Sequence, residues 1–326
     1  MSDKSNIEWT DATWNPVRGC TKVSPGCKNC YAETFAERFR GVAGHPYEQG
    51  FDLRLIPEKL DEPLHWRKPR RIFVNSMSDL FQDGVDDQFI SLVFATMYCS
   101  PQHTFQILTK RPERMLNYLK EMSSDPDGYC FAWAHEEFGS LKCGPQVWPL
   151  PNVWLGVSVE SQQYADERIP LLQQTPAAVR FISYEPALGP IDISDFLKSH
   201  GVIGPKKIPH ARNEHCKIAG CKHFEPLDWV IVGGESGPCS RPFNIQWARD
   251  VVQQCQLAGV SVFVKQLGAK PFLHFESSHH EERPGFKLHI EQMQVDRTFQ
   301  LKDRKGGDMS EWEEALRVRE FPAVNA

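Results

Sequence analysis

Cys20, Cys27 and Cys30 lie within the segment TWNPVRGCTKVSPGCKNCYAETFAERFR, at the spacing C-x6-C-x2-C. Asn15-Pro16, Gly19 and Pro25-Gly26 are turn formers, so residues 15–29 read as a loop. Tyr31, Phe35 and Phe39 recur at i, i+4 and i+8 and predict a helix immediately after it. Cys27 and Cys30 therefore stand at a helix N-terminus, where free N–H groups and the dipole favour the thiolate, the form that ligates iron or zinc. No further cysteine occurs before Cys99, and His45 and His65 are the only histidines before it. A structural zinc or an electron-transfer cluster takes four protein ligands. Three leave one metal position open to a substrate.

The elements that must position these thiols recur along the chain as short apolar runs: residues 71–75 (RIFVN), 104–109 (TFQILT), 153–159 (VWLGVSV), 179–184 (VRFISY), 229–232 (WVIV) and 261–265 (SVFVK). Runs of this kind suit a parallel sheet covered on both faces. Amphipathic stretches between them, such as 88–98 and 245–258, are long enough for crossover helices. The alternation predicts an α/β fold, barrel-like or doubly wound. Polar residues follow the runs: Ser76, Ser78 and Asp79; Lys110 and Arg111; then Glu160, Glu185, Glu235 and Gln266. Active sites in such folds form at the carboxyl ends of the strands, so these residues describe a polar cup.

Residues 122–151 and 199–226 interrupt the rhythm, each with two cysteines: Cys130 and Cys143 in the first, Cys216 and Cys221 in the second. Both follow a helix and precede a strand, which puts them at the amino-terminal face of the sheet. Together the four could form a structural zinc site, with His215 or His223 as substitutes, although C-x12-C and C-x4-C differ from the usual C-x2-C. Cys99 and Cys255 fall on helical patterns and are expected in the core, and Cys239 is expected as a free thiol. Beyond residue 268 the pattern predicts a small hairpin and a short helix over 309–318. The 326 residues hold no apolar run long enough to span a bilayer and open on no signal-peptide pattern, which predicts a cytoplasmic protein without a membrane partner. In that reducing compartment cysteines serve as ligands or core residues rather than disulfides. The net charge of −5 argues against strongly electrostatic nucleic-acid binding, leaving one local basic patch: Arg67, Lys68, Arg70 and Arg71 beside Trp66.

The three-cysteine loop resembles that of radical-SAM enzymes, in which three cysteines hold a 4Fe–4S cluster and S-adenosylmethionine (SAM) chelates the fourth iron. The usual first gap there is three residues; here it is six. WNP…GC…SPGC.NCYAE, together with VWLGVSVES, DWVIVGGESG, VKQLG and DRKGGDMSEWEEALRVREFP, is similar to a radical-SAM-like family of phage and bacterial genomes, the phage three-cysteine-motif proteins. The similarity spans nearly the whole chain outside the two insertions. It implies a partial (β/α)6 TIM-barrel-like domain over residues 1–267, whose first strand is residues 12–17, with a C-terminal extension over 268–326. Ser76, Ser78 or Asp79 would bind the SAM amino group, because NSMSDLF occupies the place of a Gly-Gly-Glu run. Ser158 and Glu160 match ribose-contacting residues, while Gly233 and Gly234 would let backbone approach adenine or substrate. Lys110, Arg111, Glu185, Glu235 and Lys265 are candidates for gripping substrate, with ion pairs at strand ends as the alternative. The implied reaction takes an electron from an external donor, cleaves SAM and yields a 5′-deoxyadenosyl radical that attacks an unidentified substrate. Phage association suggests a nucleic acid or nucleotide. The competing reading is a metal-stabilised nucleic-acid-binding module without SAM turnover.

Overall fold

In the computed structural model, residues 5–127, 130, 132–138, 147–198, 200–203, 206–209, 222–275 and 295–323 are described. Seven parallel strands form the central sheet: β1 (Ala12–Trp14), β2 (Arg71–Val74), β3 (Thr104–Thr109), β4 (Val153–Ser158), β5 (Val179–Tyr184), β6 (Trp229–Gly233) and β7 (Ser261–Gln266). Each strand lies beside the one before it in sequence, and the sheet curls into a half-barrel. All six predicted runs are strands. The first strand is shorter than expected, because Asn15-Pro16 ends it and Val17–Arg18 pairs instead with Arg54–Leu55.

Alternation along each strand divides the core in two. Ile72, Val74, Ile107, Leu155, Val157, Ile182, Val230, Val232, Val262 and Val264 join the larger cluster with the helices. Those helices are α2 (Asp87–Tyr98), α3 (Pro112–Ser124), α4 (Gln162–Gln173) and α5 (Ile245–Ala258), while the short α1 (Tyr31–Glu37) follows the cysteines. The Asp86 side chain caps α2 by accepting from Phe89 N at 2.7 Å, and Pro112 opens α3. The other face, which is concave, carries Phe73, Trp154, Phe181, Trp229, Ile231 and Phe263 around Trp9. Gly156 in β4 belongs to this packing: a Cβ there would lie 2.5 Å from the Phe181 ring.

Both chain ends close the open side of the half-barrel. Trp9 packs on Phe73 at 4.7 Å and on Trp229 at 6.2 Å between ring centroids. Residues 318–320 pair with the free edge of β7 through Val264 N–Val318 O (2.9 Å) and Glu320 N–Val262 O (3.0 Å), and Trp229 Nε1 donates to Glu320 O at 2.8 Å. The edge strand is thereby covered. The hairpin expected after residue 268 is present, as Pro271–Phe275 against Val295–Thr298. The expected helix over 309–318 is instead two 3-10 turns, Met309–Glu311 and Glu314–Leu316. Between them Trp312 is extended and buried, its Nε1 donating to Gly306 O at 3.1 Å, so burial of one aromatic overrides helix propensity.

The insertion before β6 contributes three antiparallel strands, His200–Ile203, Lys206–Pro209 and Lys222–Phe224. Cys143, Cys216, Cys221 and His215, on which the zinc expectation rests, lie outside the described residues, as does the side chain of His223. Cys130 is buried, and burial pushes its thiol up. Cys255 is buried on α5 as expected, and Cys239 is a free, exposed thiol. Cys99 is in the core but disulfide-bonded, against the expectation of reduced cysteines.

Gly156→Ala is expected to destabilise the fold by about 1–3 kcal/mol, because the Phe181 ring cannot retreat from a filled core. Urea denaturation of the two proteins measures it.

Candidate active site

The carboxyl ends of the strands enclose a cavity of about 480 Å³. Cys20, Cys27 and Cys30 line one side of it, Trp9, Phe73 and Leu108 form an apolar floor, and Asn75, Lys110, Ser158, Ser183, Glu185 and Lys265 stand on the strand ends. Residues 6–9 and Lys305 complete the wall. The three thiols and the polar cup, predicted separately, meet in one cavity.

The cysteine loop is tied down at four strand ends. After β2, Ser78 Oγ donates to Val17 O (2.8 Å), Ser76 Oγ to Asn15 Oδ1 (3.2 Å), and the Tyr31 hydroxyl to Ser76 O. After β3, Arg111 Nη1 stands 3.6 Å from Cys20 Sγ and Nη2 donates to Thr21 Oγ1 at 2.7 Å. Asp79 fixes that guanidinium at 3.1 Å and also accepts from Thr109 Oγ1 (2.7 Å) and Lys110 N (2.9 Å). After β4, the fully buried Glu160 accepts from Ser24 Oγ at 2.7 Å and pairs with Lys110 (3.2 Å) and Arg168 (3.1 Å). Gly26 packs on that carboxylate so tightly that a Cβ would lie 2.3 Å from it. After β6, Glu235 accepts from Asn29 Nδ2 (3.0 Å) and from Arg241 (2.7 Å), whose Nη1 donates to Pro25 O at 2.9 Å.

At the predicted positions, Ser76, Ser78 and Asp79 line the cavity and also hydrogen-bond to the cysteine loop and its clamp. Glu160 is buried beneath the loop, whereas Ser158 does line the cavity. Gly233 and Gly234 make room for Glu185 and for Leu267 and Phe243 of the chain itself. Lys110, Arg111 and Glu235 line the cavity and are each in an ion pair at a strand end. Lys265 pairs with Glu185 at 2.6 Å, and this pair faces the cavity. Gln266, also on the wall, donates to Glu185 at 3.2 Å. In the basic patch, Arg70 stacks on Trp66 (5.0 Å), while Arg71 pairs with Asp11 (3.1 Å) and covers the Phe321 ring (4.1 Å), at the opposite end of β2 from the cup. Ser24, Asn29, Asn75, Arg168, Arg241 and Lys305 were not singled out from sequence. Polar residues inside the cysteine loop were the available signal for the first two.

Burial raises the thiols of Cys20 and Cys30, against what a helix N-terminus alone predicts for Cys30. Burial, with Asp79 adding to it, pushes Cys20 up to about 11 in spite of Arg111. Burial also raises Cys30, outweighing the N–H groups of Glu33 and Ala32 that favour its thiolate. Burial works to raise Glu235, but hydrogen bonds from Arg241 and Asn29 outweigh it and hold the carboxyl below its usual range. Among the described residues no three His, Cys, Asp or Glu side chains converge on a point for a single metal ion.

A parallel α/β half-barrel with a cysteine-bearing loop clamped across its carboxyl-end cavity is thus the class that the fold and site define. The chain belongs to the family described as a protein of unknown function (DUF5131), whose model matches residues 4–304. No curated protein and no solved structure matches it. Among the described residues no helix is long and apolar enough to cross a membrane.

Because the folded protein holds the Cys20 proton more tightly than the unfolded chain, this thiol adds stability below about pH 9 that is lost as pH rises through about 11. In metal-free protein, iodoacetamide labelling of Cys20 mapped by mass spectrometry is expected to reach half its maximal rate near pH 11. A midpoint at or below pH 9 would contradict the burial argument.

Proposed function

We propose that this chain is a radical-SAM enzyme whose Cys20, Cys27 and Cys30 hold a 4Fe–4S cluster with one iron open to SAM. The observation that supports the reading is the arrangement of three thiols along one side of a cavity at the carboxyl ends of a parallel half-barrel. The donor set fits the group. A cluster takes each cysteine on a different iron, so its thiols surround a cage and need not converge on one point as zinc ligands do. Buried neutral thiols give up their protons to a metal, which supplies the charge that burial otherwise disfavours. When bound, such a cluster supplies the electron that cleaves SAM to a 5′-deoxyadenosyl radical, drawn from an external donor.

The chain's own residues do the rest. Arg111, held by Asp79, offers a guanidinium N–H to the Cys20 sulfur and offsets negative charge there. Glu160 and Glu235 keep the loop in register over the cavity through Ser24 and Asn29. The Ser158 and Ser183 hydroxyls and the Glu185–Lys265 pair are wall groups that would orient SAM and substrate. Trp9, Phe73 and Leu108 exclude water below, as a radical reaction requires. The basic patch behind the competing reading lies at the opposite end of the sheet from the cavity, with Arg67 and Lys68 exposed, Arg70 stacked on Trp66 and Arg71 paired with Asp11.

Anaerobic reconstitution with iron and sulfide is expected to give a brown protein that, once reduced, converts SAM to 5′-deoxyadenosine, and Cys30→Ala is expected to abolish both. A colourless protein holding only stoichiometric zinc would sink the proposal. Arg111→Met is expected to lower the reduction potential of the bound cluster, since it removes a cationic donor from a ligand sulfur. Spectroscopic redox titration reads that shift independently of turnover.

A further inference from the structure

Helix α1 shows solvent the side that helices of globular proteins bury. Its alanines, Ala32 and Ala36, are in the core, while Tyr31 is 60 % exposed and Phe35 43 %. Among the described residues seven large apolar side chains are exposed, and five of them (Val23, Tyr31, Phe35, Val42 and Leu53) belong to the segment that carries the cysteine loop. Such concentration marks a contact surface, whereas single exposed apolar residues scattered over a protein do not.

The exposed side of α1 has an order. Tyr31, Phe35 and Arg38 stand at i, i+4 and i+7, and Arg38 still has helical backbone angles, so the three share one face. Tyr31 lines the cavity, with its hydroxyl fixed to Ser76 O at the end of β2. The face therefore begins at the cavity mouth and leads outward along about 10 Å of helix. Neighbouring rings hold Phe35 in place: Phe39 at 5.2 Å and Tyr47 at 5.6 Å, the latter edge-on at 90°. Arg18 lies over the Tyr47 ring at 5.1 Å.

Charge on this surface is sorted. Lys22 takes Glu33, and Arg40 takes both Glu37 and Asp52. Arg18 donates only to a neutral carbonyl, Pro46 O, at 2.9 Å, and the exposed Arg38 has no carboxylate partner among the described residues. What is left over is cationic, in a chain whose net charge is −5. An occupant of this face is thus anionic and carries flat apolar groups. A stable protein partner needs about 800 Å² a side, more than one face of so short a helix supplies. A single nucleic-acid strand meets both demands, since every base has a π-face for Tyr31 and Phe35 and its phosphates suit Arg18 and Arg38. Inside the cup Arg111, Lys265 and Arg241 are already paired with carboxylates, so the uncharged base suits the cavity and the phosphates the face outside.

We infer that the exposed face of α1 docks a single-stranded nucleic acid and presents one nucleotide to the cavity. This names the substrate class of the preceding proposal, and rests on that proposal for the reaction but not for binding.

Fluorescence anisotropy of the full chain, before and after reconstitution, tests it with labelled single-stranded DNA, single-stranded RNA and duplex DNA. One of the single strands is expected to bind about tenfold or more tightly than the duplex. Phe35→Leu keeps apolar volume and removes the π-face; it is expected to weaken binding about tenfold with an unchanged melting temperature. Arg38→Gln is expected to reduce the slope of log affinity against log salt by about 0.7, the share of one phosphate contact on a single strand. Equal binding of the duplex, wild-type affinity in Phe35→Leu, or no binding of either single strand would each overturn the inference. A dimer, or capture of an acidic flavodoxin probe, that Phe35→Leu abolishes while no oligonucleotide binds would assign the face to a protein and overturn it too. Oligonucleotide binding by a protein that takes up no cluster would overturn the preceding proposal and leave this one standing, and SAM cleavage without oligonucleotide binding would do the reverse.

Discussion

A carboxylate removed from water must find its counter-charge on the spot, and the fully buried Glu160 makes that requirement govern the whole mouth of the half-barrel. Its partners arrive from different parts of the chain: Lys110 beyond β3, Arg168 on α4 and Ser24 in the cysteine loop. None of these elements can shift alone without leaving a charge or a polar atom stranded. Gly26 belongs to the same arrangement, since any larger residue would push the loop off the carboxylate. The position of the thiols is therefore a consequence of electrostatics beneath them, and not only of the local turn that carries them.

The same logic repeats around the cup. Asp79 takes Arg111, Glu185 takes Lys265 and Glu235 takes Arg241, so the ring of carboxylates is neutralised from within. Such a lining suits a ligand that is itself close to neutral or zwitterionic, because a strongly charged one would have to break a pair to find a partner.

How much of this was legible in the sequence follows from the range of each interaction. The strands and crossover helices could be read because apolar runs and helical periodicity are local, and the turn residues around Cys20, Cys27 and Cys30 announced a loop. The polar residues at strand ends were visible too, but not what they face. Glu160 and Asp79 look identical to ligand-binding groups until Arg168 and Arg111 are seen against them. The pairs Ser24–Glu160 and Asn29–Glu235 join residues 136 and 206 positions apart, a separation that leaves no local pattern. Thiol protonation was misjudged for a related reason: a helix N-terminus is written in the sequence, whereas the burial that outweighs it is not. Trp312 likewise trades a helical turn for a place in the core that only the folded chain supplies.

The pairing of residues 318–320 along β7, with Phe321 against Trp229 at 5.4 Å, has a bearing on when the site comes into being. A ribosome makes the cysteine loop some three hundred residues before the strap that seals the barrel's edge. Through most of synthesis the thiols exist beside an unsealed sheet, with the aromatic floor open on one side. Any ligand that depends on a closed cavity must wait until residues 318–321 have been made and docked. Completion of the cavity is in that sense scheduled by the order of the chain.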